Sequence, residues 1–323
     1  MKGYLMIAAL SLTVVLLAPL LALSGSVEGT TPKTDTPAPS SSPTESRPAS
    51  DPVFKVKNEK TGEVLTLSEE EFLIGVLSCE MAPSSPAEAL KAQAVAAYTY
   101  YCRQRAAAPD GVFSNVPDTL FTTGTKAGMK ERFGDQFDKW YGVLQETVRS
   151  VKGERVLFDG EPITACYHAI SAGLTEDATT VWGGNYPYLK PVDSGGDLSA
   201  DGYETAVTLT PDEVSAALKG SNAAFTPTDD PAIWFQNPQT TDSGFVKSIT
   251  VCGTDFTGPA VRTALSLRSA CFTVKYQEDT FHFTVHGYGH NVGLSQAGAK
   301  YMASLGATYR EILAHYYPGT TVA

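Results

Sequence analysis

From residue 53 onward, short stretches in which apolar and polar residues alternate are interleaved with longer ones in which apolar residues recur every three or four positions. "VFKVKNEKTGEVLTL" (53–67) alternates on both sides of 58–62 and predicts a two-stranded hairpin. Ser68-Glu69-Glu70-Glu71 carries a capping-box pattern that opens a helix, and Pro83 closes it. Ser85-Pro86-Ala87-Glu88 reads as a second capping box, opening a helix to about Ala107 with a stripe of Leu90, Ala94, Ala97, Tyr98 and Tyr101. Residues 108–135, rich in Gly, Pro, Thr and Asp, read as a long surface loop, with a helix after them over 135–152. "GERVLFDGEPITACYHAI" (153–170) predicts a hairpin turning at Asp159-Gly160, and the irregular, glycine-rich 171–202 suits a ligand-facing loop. Thr210-Pro211-Asp212-Glu213 caps a further helix, and alternating strands return at 245–251 and 271–285. Strands and helices mix without a βαβ repeat, so the fold class is α+β.

Ahead of this region stand Met1-Lys2-Gly3 and an apolar run of about twenty residues (4–23), enough helix to cross a hydrocarbon core. Small residues follow, as at a signal-peptide cleavage site, but the run exceeds the usual signal core, so 1–23 is expected to be an uncleaved transmembrane anchor. Lys2 on one flank and Glu28 as the first later charge place the rest of the chain outside the cytoplasm, a single-pass cell-membrane topology. Residues 24–52, dominated by Ser, Thr and Pro, are expected to be a disordered linker, which leaves 53–323 as the working domain. A net charge of −11 argues against nucleic acid as a partner, because phosphate affinity needs clustered Lys and Arg. Five cysteines permit up to two disulfides, with Cys252 and Cys271 a candidate pair; no CxxC points to a zinc ribbon.

Two glutamates stand eight positions apart in "SCEMAPSSPAEALKAQAVAAYTY" (78–100). Glu88 has a capping role available on Ser85. Glu80 has none: it falls four residues after Val76 and seven after Leu73, on the apolar stripe of its helix. A carboxylate there loses hydration, which raises its pKa and suits it to general acid work near neutral pH; a buried ion pair with Lys91 or Arg103 is the competing reading. Near the C-terminus, "HGYGHNVGLSQ" (286–296) packs glycines around two histidines before a helix with Ser295 as candidate N-cap. The glycines disfavour a helical His286/His290 metal pair, and no HExxH glutamate lies between them; His290 reads as a hydrogen-bonded site residue and His286 as structural.

These segments resemble the stage II sporulation protein D family, which includes the amidase-enhancer proteins. The likeness rests on 70–100, on "CYHAISAGLTEDATTVWGGNYPYLKPVDS" (166–194), on "LRSACFTV" (267–274) and on "GYGHNVGLSQAGAKYMASLGATYREILAHYYPGT" (287–320). The resemblance implies a lytic transglycosylase that cleaves peptidoglycan glycan strands at the MurNAc-GlcNAc bond, leaving 1,6-anhydroMurNAc ends, during engulfment of the forespore. It places the catalytic glutamate at Glu80 in Glu80-Met81-Ala82-Pro83, and lines a substrate cleft with Tyr167, His168, Ser171, His290, Ser295 and Gln296. It implies no cofactor. A zinc site of some relatives is not transferred, since no histidine precedes His168. Implied partners are glycan strands stripped of stem peptides, a cell-wall amidase/endopeptidase, and a membrane protein anchoring the engulfment complex.

Two departures stand out: Tyr98 where many relatives carry arginine, and Asn291 where they carry glycine. The alternative function is a non-catalytic glycan-binding activator of a cell-wall amidase. A hydrolytic muramidase would need a second carboxylate facing Glu80, and Glu176, Asp177 and Asp193 are the candidates.

Overall fold

A computed structural model of the chain describes residues 53–323; the anchor expected at 1–23 and the linker expected at 24–52 lie outside the described residues. β1 (Val53–Lys57) pairs antiparallel with β2 (Val64–Ser68), as their alternation predicts. Ser68 then caps α1 (Glu69–Glu80): its hydroxyl accepts the Glu71 amide at 3.3 Å while the Glu71 carboxylate accepts the Ser68 amide at 3.1 Å. Every residue from Phe72 to Ser78 is buried, so α1 is a core helix enclosed on all sides.

α2 (Ala87–Ala107) packs against it, but the capping box expected at Ser85 does not form. Pro86 holds the cap position without a side-chain hydrogen bond, while Glu88 pairs with Lys91 at 2.8 Å and accepts the Tyr309 amide at 2.8 Å. The carboxylate thus serves the start of a distant helix, where unpaired N–H groups also require acceptors. Residues 108–135 are not a continuous loop either. β3 (Val112–Phe113) adds parallel to β1, and α3 (Lys126–Phe133) starts at Thr125, whose hydroxyl accepts the Gly128 amide at 3.0 Å. Only Met129 of α3 is buried, so the helix leaves no apolar period in the sequence. α4 (Phe137–Ser150), the hairpin of β4 (Val156–Phe158) and β5 (Glu161–Pro162), and the two-residue β6 (Tyr167–His168) follow; within 171–202 one short α-helix, α5 (Ala178–Trp182), and a 3-10 turn at Gly195–Ser199 interrupt irregular chain.

A second unit then forms from β7 (Glu204–Leu209), α6 (Pro211–Ser221), β8 (Phe235–Thr240), β9 (Val246–Val251), β10 (Thr254–Phe256), α7 (Gly258–Ala264), β11 (Phe272–Gln277) and β12 (Thr280–His286). Its sheets run β10-β9-β8 and β11-β12-β7, all antiparallel, around a separate core that includes Trp234, Ile249, Val261, Phe281 and Phe283. The chain returns to the first unit with β13 (Leu294–Ser295), α8 (Gln296–Ser304), α9 (Tyr309–Tyr316) and β14 (Thr321–Val322). β13 pairs parallel with β6, β14 completes the sheet β14-β4-β5, and α8 and α9 pack on α2. The fold is α+β with two cores, one shared by the two ends of the described chain and one belonging to the segment between them.

All five cysteines are free, so the candidate pair Cys252 and Cys271 forms no disulfide. Cys252 sits in the turn after β9 beside the Thr228 hydroxyl, whereas Cys271 is buried against Ser243 and Asn291. Among the described residues, no helix is long and apolar enough to cross a membrane.

Gly298 in α8 lets that helix lie directly on buried polar groups: a methyl at this position would meet Tyr316 Oη at 1.9 Å, Ser194 Oγ at 2.5 Å and Asp197 Oδ1 at 3.0 Å. Gly298→Ala is therefore expected to destabilise the fold by about 2–4 kcal/mol despite its better helix propensity. Urea denaturation measures this, and a neutral or stabilising result would contradict the packing described.

Candidate active site

Glu80 is the last residue of α1, where the helix leaves its final carbonyls and the negative end of its dipole. No basic residue lies in that last turn. The competing ion pairs do not exist: Lys91 is engaged by Glu88, and Arg103 donates to the Pro162 carbonyl at 3.1 Å. The neighbours of Glu80 are neutral instead. Gln296 Nε2 donates to its Oε2 at 3.1 Å, and the Tyr167 hydroxyl hydrogen-bonds to it and also to the Tyr101 hydroxyl. Burial raises the Glu80 pKa to about 7, against the smaller lowering effect of those two hydrogen bonds. No other carboxylate acts on it.

Three segments far apart in sequence meet here. Gln296, the first residue of α8, is brought to the end of α1 by the parallel pairing of β13 with β6, in the register Leu294–Tyr167 and Ser295–His168. That approach depends on Gly293, at φ +71°, where a Cβ would lie 2.2 Å from the Cys166 carbonyl oxygen. α2 contributes Gln93, fully buried, whose Oε1 is 3.4 Å from Gln296 Nε2 and whose own Nε2 finds no protein partner. Gln93 thus backs Gln296 from within the core, leaving one buried amide donor without a protein partner.

The sequence-predicted residues divide into three groups. Tyr167 and Gln296 meet Glu80. His168, the next residue along the short β6, belongs to the opposite side: its ring packs 5.5 Å from that of His290, which lies 5.0 Å from the Trp182 ring. His168 Nδ1 hydrogen-bonds the Val292 carbonyl at 3.1 Å, and burial lowers its pKa to about 4; burial also lowers that of His290, so both rings are neutral at physiological pH. Ser171 and Ser295 are fully buried, with hydroxyls engaged by backbone: Ser171 accepts the Gly173 amide at 3.1 Å, and Ser295 caps α8 through the Gly298 amide at 3.2 Å. They shape the loops that carry the site. His286 pairs with Glu204 at 3.1 Å and stacks on Tyr203.

The three candidate second carboxylates are occupied elsewhere. Glu176 accepts from Thr241 at 2.6 Å and from Ser243, Asp177 caps α5 and pairs with Lys190 at 2.9 Å, and Asp193 is exposed beside the Gly195 amide. The two departures also find places. The Tyr98 hydroxyl donates to Glu69 at 2.8 Å, at the far end of α1, about 16 Å of helix from Glu80. Asn291 takes the left-handed φ of +67° that asparagine tolerates, and its amide accepts from Ala172 and donates to Leu174, both at 3.0 Å.

The site is thus one partly buried carboxylate with neutral amide and hydroxyl partners in an α+β frame. The comparisons agree on a family. Residues 57–155 match the family model described as Stage II sporulation protein. The chain is 32% identical to Stage II sporulation protein D of Bacillus subtilis (strain 168) over 285 residues, covering 85% of this chain and 79% of that protein. It is likewise 32% identical to Stage II sporulation protein D of Bacillus amyloliquefaciens, over 85% of this chain and 79% of that one. The Amidase enhancer of Bacillus subtilis (strain 168) is 27% identical over 77% of this chain and 40% of its own length. The chain belongs to the stage II sporulation protein D family, whose name places it in sporulation.

Gln93 and Tyr101 were not among the sequence-derived site residues, though a signal existed. Gln93 is three residues after Leu90 and four before Ala97, on the apolar stripe of α2 just as Glu80 is on that of α1.

The raised pKa of Glu80 sets a stability prediction. Its carboxyl titrates near 4.5 when exposed and near 7 in the fold, so the folded state holds the proton longer and loses stability as pH rises from 4.5 through 7. Glu80→Gln is expected to stabilise the protein at pH 8, by at most about 3 kcal/mol and less for the open edge of the carboxylate, with the gain vanishing near pH 4. Urea denaturation of both proteins at the two pH values checks this; a pH-independent difference would contradict it.

Proposed function

We propose that the protein is a peptidoglycan lytic transglycosylase with Glu80 as its single acid-base catalyst. The observation that carries this reading is the isolation of that carboxylate: its pKa is near 7, its direct partners are neutral, and no second carboxylate acts on it. A glycosidase of the usual kind needs two carboxyl groups, one acid and one nucleophile or base. A transglycosylase needs one, because it uses the substrate's own hydroxyl. Glu80, protonated, gives its proton to the oxygen leaving C1 of N-acetylmuramic acid. The resulting carboxylate then takes the proton of that sugar's C6 hydroxyl as its oxygen bonds to C1, which closes the 1,6-anhydro ring and restores the acid without water. Intramolecular attack gains from proximity.

The chain's other groups orient and tune. Tyr167, tied to both Glu80 and Tyr101, stabilises the carboxylate between the two proton transfers. Gln296 fixes one carboxylate oxygen, and the buried Gln93 behind it accepts from the Gln296 amide and holds it in place. His168, neutral and buried, supports His290 at the edge of the cleft. In this reading, the domain works outside the cytoplasm, tethered by residues 1–23, beside a cell-wall amidase/endopeptidase and an anchoring membrane protein. A role as a non-catalytic glycan-binding activator is the second reading, favoured by the similarity to an amidase enhancer.

Mass spectrometry of purified glycan strands, with and without stem peptides, separates these readings. Products one water lighter than hydrolysis products, lost by a factor of about 10²–10⁴ or more with Glu80→Gln, are expected. Reducing ends would indicate a muramidase, and intact strands that still bind would indicate the activator. Because the protonated form of Glu80 starts the reaction, kcat/KM is expected to fall with rising pH above about 7, and Tyr167→Phe, which removes a carboxylate-stabilising hydrogen bond, should move that limb upward.

A further inference from the structure

A pocket opens where the two units meet, lined by Val181 and Trp182 of α5, Pro259 and Arg262 of α7, Phe245 and His290. Its walls are mostly apolar, and Phe245 belongs to a small cluster with Ala270 and Cys271 that joins the units. Arg262 is its cation. The side chain is partly buried, which disfavours its charge without removing it, and no carboxylate pairs with it among the described residues.

The carboxylates of this part of the fold have other partners, and none of them acts on Arg262. Asp197, which acts on His168, accepts the Ser171 amide and the Ser194 hydroxyl, and Glu176 is held by Thr241 and Ser243. The other polar groups around Arg262 are His168, His290, Tyr288 and Cys271; burial holds both histidines neutral and pushes the Cys271 thiol up to about 12. A guanidinium set in apolar walls with no counter-charge matches a ligand that supplies one. Strand β6 links the pocket to the candidate active site across its two faces: His290 hydrogen-bonds to the backbone of Tyr167, whose hydroxyl reaches Glu80.

We propose that the Arg262 pocket is a carboxylate subsite of the cleft, in which the guanidinium takes a carboxylate carried on a short apolar branch of the bound glycan and Trp182, Val181 and Phe245 enclose the branch. This rests on the reading of the ligand as a peptidoglycan strand. Two groups on such a strand have this chemistry: the free lactyl carboxylate of a muramic acid without peptide, and a carboxylate of a stem peptide. An amide or ester at the same place keeps the shape but not the charge, and cannot accept the paired N–H donors as an anion does.

The test is binding, so it stands apart from cleavage. Affinities of the full-length Glu80→Gln chain are measured for peptide-free strands, for the same strands after methyl esterification, and for peptide-bearing strands before and after esterification. Esterification is expected to weaken binding at least tenfold in one of the two pairs, which identifies the source of the carboxylate. Adding Arg262→Gln should abolish that difference, and Arg262→Lys should restore part of it. Equal binding of acid and ester in both pairs overturns the subsite and needs no Arg262 variant to fold. Discrimination without any cleavage by the unsubstituted chain would leave the subsite standing while the transglycosylase reading fails; cleavage without discrimination would do the reverse.

Discussion

The site depends on the contact between Gln296 and Glu80, a 3.1 Å hydrogen bond between residues 216 positions apart. A carboxylate at the end of a buried helix is costly when ionised, because it has left water and faces the negative end of the helix dipole. A cation would relieve that cost and fix the group as a permanent anion. The fold supplies neutral partners instead, Gln296 and the Tyr167–Tyr101 hydroxyl pair, which hold the carboxyl in place in either protonation state. The result is a proton donor poised near 7 rather than a structural ion pair.

To bring Gln296 there, the chain must leave the first unit, build a second one over 204–286, and come back along Tyr167. The return is held by backbone as much as by side chains. The Glu176 amide donates to the Asn291 carbonyl at 2.6 Å, the Asn291 side chain braces Ala172 and Leu174, and the Glu176 carboxylate reaches Thr241 and Ser243 of the second unit. Glu176, a candidate for catalysis from sequence, is thus a buried link between the units. Satisfied by two hydroxyls and with burial raising its pKa, it resembles Glu80 in its surroundings and differs in that hydroxyls of the second unit, rather than a glutamine of α8, hold it.

Much of this was legible in the sequence where local chemistry decides structure. The Ser68 and Thr210 caps, the β1–β2 hairpin and the Asp159-Gly160 turn follow from residues within a few positions of one another. Expectations failed where a distant partner decides. Glu88 has the spacing of a capping box, yet α9 supplies a competing amide that no local pattern reveals. α3 touches the core through Met129 alone, so periodicity could not show it, and two probable strands suggested a disulfide whose sulfurs the fold keeps in separate environments. In the site, Glu80 stood out because a charge on an apolar stripe contradicts its helix. Arg262 sits in a short, half-exposed helix where an arginine contradicts nothing, and only the assembled walls of the pocket make it conspicuous.

Tyr98 and Asn291, the two positions where the resemblance implies other residues, both lie in the frame of the site. Tyr98 meets Glu69 with a neutral donor, and the whole of α1 separates that pair from Glu80, so the substitution alters the anchoring of the helix start and leaves the proton donor untouched. Asn291 is closer to the chemistry, and a non-glycine residue at a φ of +67° carries a backbone cost. Its side chain offsets that cost with two 3.0 Å hydrogen bonds to the 172–174 backbone, contacts that glycine cannot make. The geometry that glycine permits by having no side chain is here held by a side chain that fits, and the position of Gln296 against Glu80 follows from the same turn.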